Sequence, residues 1–170
     1  MSTPCFLGLG SNVDPERNLA EAARLLRTTF PDITFSSVYQ SAAQYHEDQP
    51  AFLNAVAKVE TEKNPEEILR DLRSIEKKLH KSLPFRFGPR TIDLDLLMHD
   101  NLILPSPEEW HAANQLLILP HPRLHERRFV LEPLCELIDK NALHPVFRES
   151  WGSLLRKTLG QSCDRTTLSL

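Results

Sequence analysis

The sequence is poor in the features that mark several large classes of protein. It has three cysteines, Cys5, Cys135 and Cys163, far apart and in no C-x-x-C spacing. Neither a disulfide framework nor a zinc site is implied, and reduced, packed thiols are expected. No apolar run approaches the roughly 18 residues that cross a bilayer. The N-terminal MSTPCFLGLG has no charged leader followed by a long apolar core, which argues against a secretory signal and points to the cytoplasm. A net charge of −3 lacks the basic excess of proteins that track nucleic acid by bulk electrostatics. No G-x-x-x-x-G-K-[ST] occurs, and Gly8 and Gly10 lack a third glycine at the spacing of a dinucleotide fingerprint. The GLGS string therefore reads as a close-packed strand-to-helix turn. Internal repeats and low-complexity tracts are absent.

What is present suits one soluble domain over residues 1–170, since a chain of 170 residues with 41% hydrophobic content can bury a real core. CFLGLG reads as a short strand entering SNVDPERN, where Asp14 can cap a helix and Pro15 suits its first position. Leu19, Ala22, Ala23, Leu26 and Phe30 then recur at helical spacing. A strand over 33–41 follows, with Ile33, Phe35 and Tyr39 on one parity. A further strand over 51–60 puts Leu53, Ala55, Ala57 and Val59 on one side and Phe52, Asn54 and Val56 on the other. Asn64, Pro65 and Glu67 open a second helix as a capping box, with Ile68, Leu72, Ile75 and Leu79 as its buried stripe.

GPRTIDLDLL closes the series. The elements run β-α-β-β-α-β, an α+β, ferredoxin-like arrangement in which both helices cover one face of an antiparallel sheet and the other face stays open for ligands. After residue 100, Pro105, Pro107, Pro120, Pro122, Pro133 and Pro145 break the chain into short segments. A loop-rich C-terminal extension is expected, with short strands near Leu102 and Leu117 and helices near 129–138 and 150–159.

The acidic strand is the most informative stretch. Strand alternation turns Ile92, Leu94 and Leu96 to the core and sets Asp93 and Asp95 together on the opposite face. Same-face neighbours lie about 7 Å apart at the backbone, near enough for their carboxylates to converge on one divalent ion or on two adjacent ones. Ligation by oxygen alone suits Mg²⁺, which keeps waters and completes its shell from a substrate's phosphates. Arg90 stands at the strand entrance, and KSLPFRFGP before it is short, basic and aromatic, suited to a lid. Lys77, Lys78, Lys81, Arg86 and Arg90 upstream, and Arg123, Arg127 and Arg128 downstream, can hold a polyanion beside the metal. His121 and His125 are four apart, but Pro122 weakens a helix between them and no third zinc ligand is apparent.

The ordered strings LGLGSN, DQPAFLNA, IEKKL, FGPRTIDLDLL and LPHPRLHERRFVLEPL, from residue 5 to about 140, resemble the hydroxymethyl-dihydropterin pyrophosphokinases of folate biosynthesis. The resemblance implies transfer of the terminal pyrophosphoryl group of ATP, the co-substrate, to the hydroxymethyl oxygen of a reduced pterin, with release of AMP. It assigns Asp93 and Asp95 to two Mg²⁺ ions, with Asp93 also beside the substrate. Lys81, Arg90 and Asp95 become the catalytic candidates. Glu76, Arg86, Phe87, Arg90, Ile118, His121 and Arg127 become nucleotide contacts. Ser41, Ala42, Ala43, Gln44, Phe52, Asn54 and Phe129 border the pterin, with Phe52 and Phe129 stacking on it and Asn54 reading its edge. Small molecules are the expected partners, with no nucleic acid and no membrane, and the chain is expected to be a monomer.

The sequence also departs from the family pattern. SAAQ stands where a Thr-Pro-Pro run is usual, and Ser41 preserves the hydroxyl. HKSL replaces a Gly-Arg-x-Arg in the lid. Lysine is a point charge without a guanidinium fork, so a lower turnover than usual is expected. Phe87 replaces a tryptophan and Leu116 a basic residue. Another Mg²⁺-dependent phosphotransferase, or a binding homologue of low activity on the same scaffold, are the alternatives.

Overall fold

The computed structural model describes residues 1–43, 48–79 and 91–170. The elements are β1 (Thr3–Ser11), α1 (Pro15–Thr29), β2 (Ile33–Phe35), β3 (Tyr39–Ser41), β4 (Phe52–Thr61), α2 (Pro65–Lys78), β5 (Asp93–His99), α3 (Arg128–Leu137), α4 (Trp151–Arg156) and β6 (Asp164–Arg165). Short 3₁₀ turns lie at Trp110–Ala112 and Leu124–Glu126. The sheet runs β5-β1-β4-β3-β6, with β2 also on β4, and all its pairings are antiparallel. The fold class is α+β. With β2 and β3 taken as two halves of one strand, the expected β-α-β-β-α-β succession is present. No helix among the described residues is long and apolar enough to cross a membrane.

The break between β2 and β3 corrects the single strand expected over 33–41. Phe35 pairs with Ala57 but Tyr39 pairs with Asn54, so four steps on one side match three on the other. Ser36 causes the slip, because its Oγ accepts the amide of Val56 in place of a backbone carbonyl. One inserted residue reverses the facing of everything beyond it. Ile33 and Phe35 face the core under the helices, whereas Tyr39 and Ser41 share the face of their partners Asn54 and Phe52.

Both main helices form for the reasons read from sequence, with one correction. Asn64 and Glu67 form the full capping box of α2, at 2.9 and 2.8 Å. Asp14 makes no side-chain cap; its backbone is left-handed (φ 42°), and the Asn18 side chain ties the turn to the carbonyl of Val13. Leu19, Ala22 and Leu26 of α1 and Ile68, Leu72 and Ile75 of α2 pack on Leu7, Leu9, Ala55, Ala57, Leu94 and Leu96 of the sheet. Each fully buried leucine or isoleucine contributes about 1.5–3 kcal/mol.

The other face is not wholly open, which corrects a second expectation. α3 and α4 cover part of it, burying Leu131, Leu134, Cys135, Trp151 and Leu154 against Phe6, Val56, Leu97 and Met98. A bulge between Phe6 and Leu7 of β1 leaves Leu97 without an opposite residue, and so lets Leu97 and Met98 both enter this second cluster. Among the described residues, the stretch between this cluster and the ends of β1, β4 and β5 remains for a ligand. The tail adds a feature that its own pattern does not announce: β6 pairs with β3, and Leu168 and Leu170 pack on the first core, covering a sheet edge. The extension holds an isolated bridge, Leu104 to Leu119, where two short strands were expected. The three cysteines are buried thiols, and burial pushes Cys5 up to about 12 and Cys163 to about 11.

Candidate active site

The uncovered part of the sheet carries a cavity of about 150 Å³, several times the space one water needs. Its wall gathers residues from five regions of the chain. Gly8 and Gly10 come from β1, Ser41 and Ala42 from the end of β3, Phe52 and Asn54 from β4, Asp93 and Asp95 from β5, and His121, Arg127 and Phe129 from the extension. Strand register explains much of this convergence. Asp95 lies opposite Gly8 and Asp93 opposite Gly10, so each carboxylate faces a position with no side chain. A Cβ added at Gly10 would come within 3.2 Å of Asn54 Oδ1, and one at Gly8 within 3.3 Å of the Leu97 side chain. The glycines thus keep space open beside the aspartates and belong to a strand, not to the turn expected from GLGS.

Asn54 is 4% exposed, and its Nδ2 donates to Ser41 Oγ at 2.8 Å. That bond fixes the carboxamide and turns Oδ1, an acceptor, toward Gly10. Arg127 lies over the ring of Phe129, 5.6 Å from its centroid, linking a cation to an aromatic wall. His121 is tied in by two bonds: its amide donates to the carbonyl of the bulged Leu97, and its Nδ1 accepts the amide of Arg123. Burial first, and then the charge of Arg127, push the imidazole down to about 4 against the pull of Asp93. The ring is therefore neutral near pH 7, with its proton on Nε2, where it is a hydrogen-bond donor and not a cation.

Other expected site residues lie elsewhere. Glu76 is 3% exposed, neither a solvent-facing helix residue nor part of the cavity wall; it sits behind β5, where its Oε1 accepts the amide of Leu94 at 2.8 Å. Ile118 is also outside the wall, because Leu119 takes the core-facing position of the bridge to Leu104 and leaves its neighbour half-exposed. Ala43 is buried away from the wall. Gln44, Lys81, Arg86, Phe87 and Arg90 lie outside the described residues. Gly8, Gly10 and Leu97 join the site beyond the residues expected from sequence, although the alternation in FLGLG already sets both glycines opposite the face of Leu7 and Leu9. His125 is separated from His121 and packs 4.4 Å from Phe147, ring to ring, and 5.8 Å from His144.

Among the described residues, no three His, Cys, Asp or Glu side chains gather to hold a metal by themselves. The Asp93–Asp95 pair matches a hard cation that draws the rest of its shell from water and substrate oxygens, as Mg²⁺ does.

The same cavity residues fall within a match to known sequences. The pattern of the 7,8-dihydro-6-hydroxymethylpterin-pyrophosphokinases covers residues 6–139. A 2-amino-4-hydroxy-6-hydroxymethyldihydropteridine pyrophosphokinase of Aquifex aeolicus is 36% identical over 145 residues, 85% of this chain and 85% of that one. A folic acid synthesis protein of Pneumocystis carinii is 37% identical over 161 residues, 89% of this chain but 20% of that protein. The chain thus spans about a fifth of the length of this fungal relative and most of the bacterial one. In structure it resembles the crystallised HPPK-DHPS of Plasmodium falciparum, with a TM-score of 0.71 at 14% identity over 94% of this chain and 44% of that one. That likeness concerns the fold. With the match running unbroken from β1 through α3, the chain belongs to the 7,8-dihydro-6-hydroxymethylpterin-pyrophosphokinase family.

Proposed function

We propose that this protein transfers the terminal pyrophosphoryl group of ATP to the hydroxymethyl oxygen of 6-hydroxymethyl-7,8-dihydropterin. A bond forms between that oxygen and the β-phosphorus, the bond from the β-phosphorus to the bridging α-oxygen breaks, the hydroxyl proton departs, and AMP leaves. The observation that carries this reading is the convergence of an oriented amide, two phenylalanines and two carboxylates on one cavity. A plain nucleotide hydrolase has no use for the first two.

Each residue has a physical task. Phe52 and Phe129 offer apolar faces to a flat ring, and Asn54 Oδ1, held by Ser41, accepts a ring N–H. Exposing a ring N–H to an acceptor buried this deeply discriminates against analogues that lack the donor. Asp93 and Asp95 would hold Mg²⁺, for which we propose two ions; bound there, the metal would supply neutralisation of charge on the phosphate oxygens and alignment of the reacting groups. Arg127 faces the phosphates as a fixed cation, and His121 donates from Nε2–H to an oxygen without adding charge. Lys81, Arg86, Phe87, Arg90 and Ile118 are proposed nucleotide contacts, with Lys81 and Arg90 taking part in catalysis. Ala42, Ala43 and Gln44 border the pterin. The proposed partners are small molecules alone, bound by the chain as a monomer.

The test is AMP release from ATP with and without the pterin, in the presence of Mg²⁺. AMP formed only when pterin and metal are both present is the expected result. ATP consumed without pterin would overturn the reading in favour of another phosphotransferase or hydrolase. Pterin bound with no AMP formed would mark a binding protein.

A further inference from the structure

We infer that Arg73 and Glu76 are positioning residues that set the relative orientation of Asp93 and Asp95. The inference rests on the metal-binding role proposed for those aspartates. β5 is the outer strand of the sheet, with β1 on one side and, among the described residues, no strand on the other. Along an antiparallel edge, the N–H and C=O of alternate residues point away from the ladder together. On β5, Leu94 is such a residue and it stands between the two aspartates. α2 supplies what a neighbouring strand would. Glu76 Oε1 accepts the Leu94 amide at 2.8 Å, Arg73 Nη1 donates to the Leu94 carbonyl at 3.1 Å, and the same Nη1 donates to Glu76 Oε1 at 2.6 Å. The two side chains lie three apart on the helix, close to one turn, so they reach β5 side by side.

The placement of these bonds gives them their significance. The Leu94 amide belongs to the peptide plane that joins Asp93 to Leu94, and the Leu94 carbonyl belongs to the plane that joins Leu94 to Asp95. Gripping both atoms fixes both planes, and with them the angle between the Cα–Cβ directions of the two aspartates. An edge strand held on one side only can twist there. The clamp acts where a small twist would separate carboxylates meant to converge. The pair also buries a carboxylate, 5% exposed in its side chain, against a guanidinium. Buried ion pairs are seldom worth more to stability than apolar residues of the same volume, so the gain lies in geometry. Groups that orient metal ligands from behind typically alter metal affinity roughly 10–100-fold when removed.

The test measures Mn²⁺ binding by electron paramagnetic resonance in the presence of a non-hydrolysable ATP analogue, alongside urea unfolding. Arg73→Met removes both donors and keeps the stem; Glu76→Gln keeps an acceptor for Leu94 and removes the charge that holds Arg73. Both should raise the Mn²⁺ dissociation constant, Arg73→Met by roughly 10-fold and Glu76→Gln by less. Arg73→Lys should restore most of the affinity. Asn64→Ala, which dismantles the capping box of the same helix without touching β5, should lower the urea midpoint and leave Mn²⁺ affinity unchanged. If Arg73→Met and Glu76→Gln lower the midpoint as Asn64→Ala does and bind Mn²⁺ like the unaltered protein, the inference is overturned and the functional reading stands. If the unaltered protein itself holds no Mn²⁺ with nucleotide, the functional reading fails and takes the inference with it.

Discussion

On β1, Leu7 and Leu9 pack beneath α1 and α2, while Gly8 and Gly10, one step away, line the cavity. β5 repeats the contrast with Leu94 and Leu96 against Asp93 and Asp95, and β4 with Leu53 and Ala55 against Phe52 and Asn54. Two faces of one sheet therefore obey different rules. The helix-covered face tolerates only apolar side chains that fill volume, and a defect there is felt as lost stability. Where the other face lines the cavity it carries glycine, amide and carboxylate, the residues to which the proposed chemistry is assigned. Extended backbone makes the separation possible, since neighbours differ by about 180° in direction and can be selected for unrelated purposes.

The sharpest way to break this contrast is one substitution on each face. Asp95→Asn should reduce turnover by about 1,000-fold, roughly 4 kcal/mol of transition-state stabilisation. Its effect on the unfolding free energy should stay within about 0.5 kcal/mol, because the position is half-exposed. Leu7→Ala, at a fully buried position, should do the reverse. It should cost about 2–5 kcal/mol of stability while the turnover of folded molecules changes by no more than a few-fold. Urea unfolding and steady-state kinetics on both proteins measure it. Comparable losses of stability in the two variants would remove the distinction between the faces.

Beside the second cluster, where α3 and α4 cover the cavity-side face, lies a buried group that makes stability sensitive to acid. His144 is 0% exposed, and its Nδ1 accepts the amides of Val146 and Phe147, while its ring lies among Trp110, Phe147 and Trp151. Burial, and then the nearby His125, push it down to about 4. Because the folded value lies below the usual 6.5, the unfolded chain takes up a proton between pH 6.5 and 4 and the folded chain does not. Stability should therefore fall as pH drops through that window, by up to about 1.4 kcal/mol per pH unit from this group, and this loss should level off below about pH 4. His144→Asn keeps an acceptor for the turn and removes the titration. Urea midpoints at about pH 7, 6 and 5 should fall less steeply in that variant than in the unaltered protein.

Local patterns make the helices, the faces of β1, β4 and β5, and the acidic pair legible in the sequence by itself. Alternation and capping act over a few residues, so Asn64 with Glu67, and Asp93 with Asp95, can be read one element at a time. What stays hidden depends on partners distant along the chain. The slip at Ser36 requires the amide of Val56, and the clamp on Leu94 requires Arg73 and Glu76 to lie against an edge strand. The covering of the second face by α3 and α4 follows from how the extension folds back, which its own pattern does not encode. GLGS misleads for a related reason. A glycine in a strand is explained by what lies across the sheet, here Asp95 and Asp93.

The smallest effects expected on the cavity face concern Asn54. Its Nδ2 donates to Ser41 Oγ, and this bond restrains the carboxamide that carries Oδ1 on the side of Gly10. Ser41→Ala removes that restraint, a loss of about 1 kcal/mol, or roughly 5-fold in pterin affinity. The stacking faces of Phe52 and Phe129 should be untouched. Gly10→Ala approaches the same oxygen from the other side with a methyl at 3.2 Å, and should weaken pterin binding by a similar factor without altering the hydroxyl. Titration calorimetry of the pterin against the two variants and their combination separates the causes. If both act by displacing Oδ1, the double variant should lose less than the product of the two single effects, because an amide already turned away cannot be displaced again. Independent, multiplying losses would mean that Ser41 and Gly10 meet the ligand separately, and that the orientation of Asn54 is set by something other than Ser41.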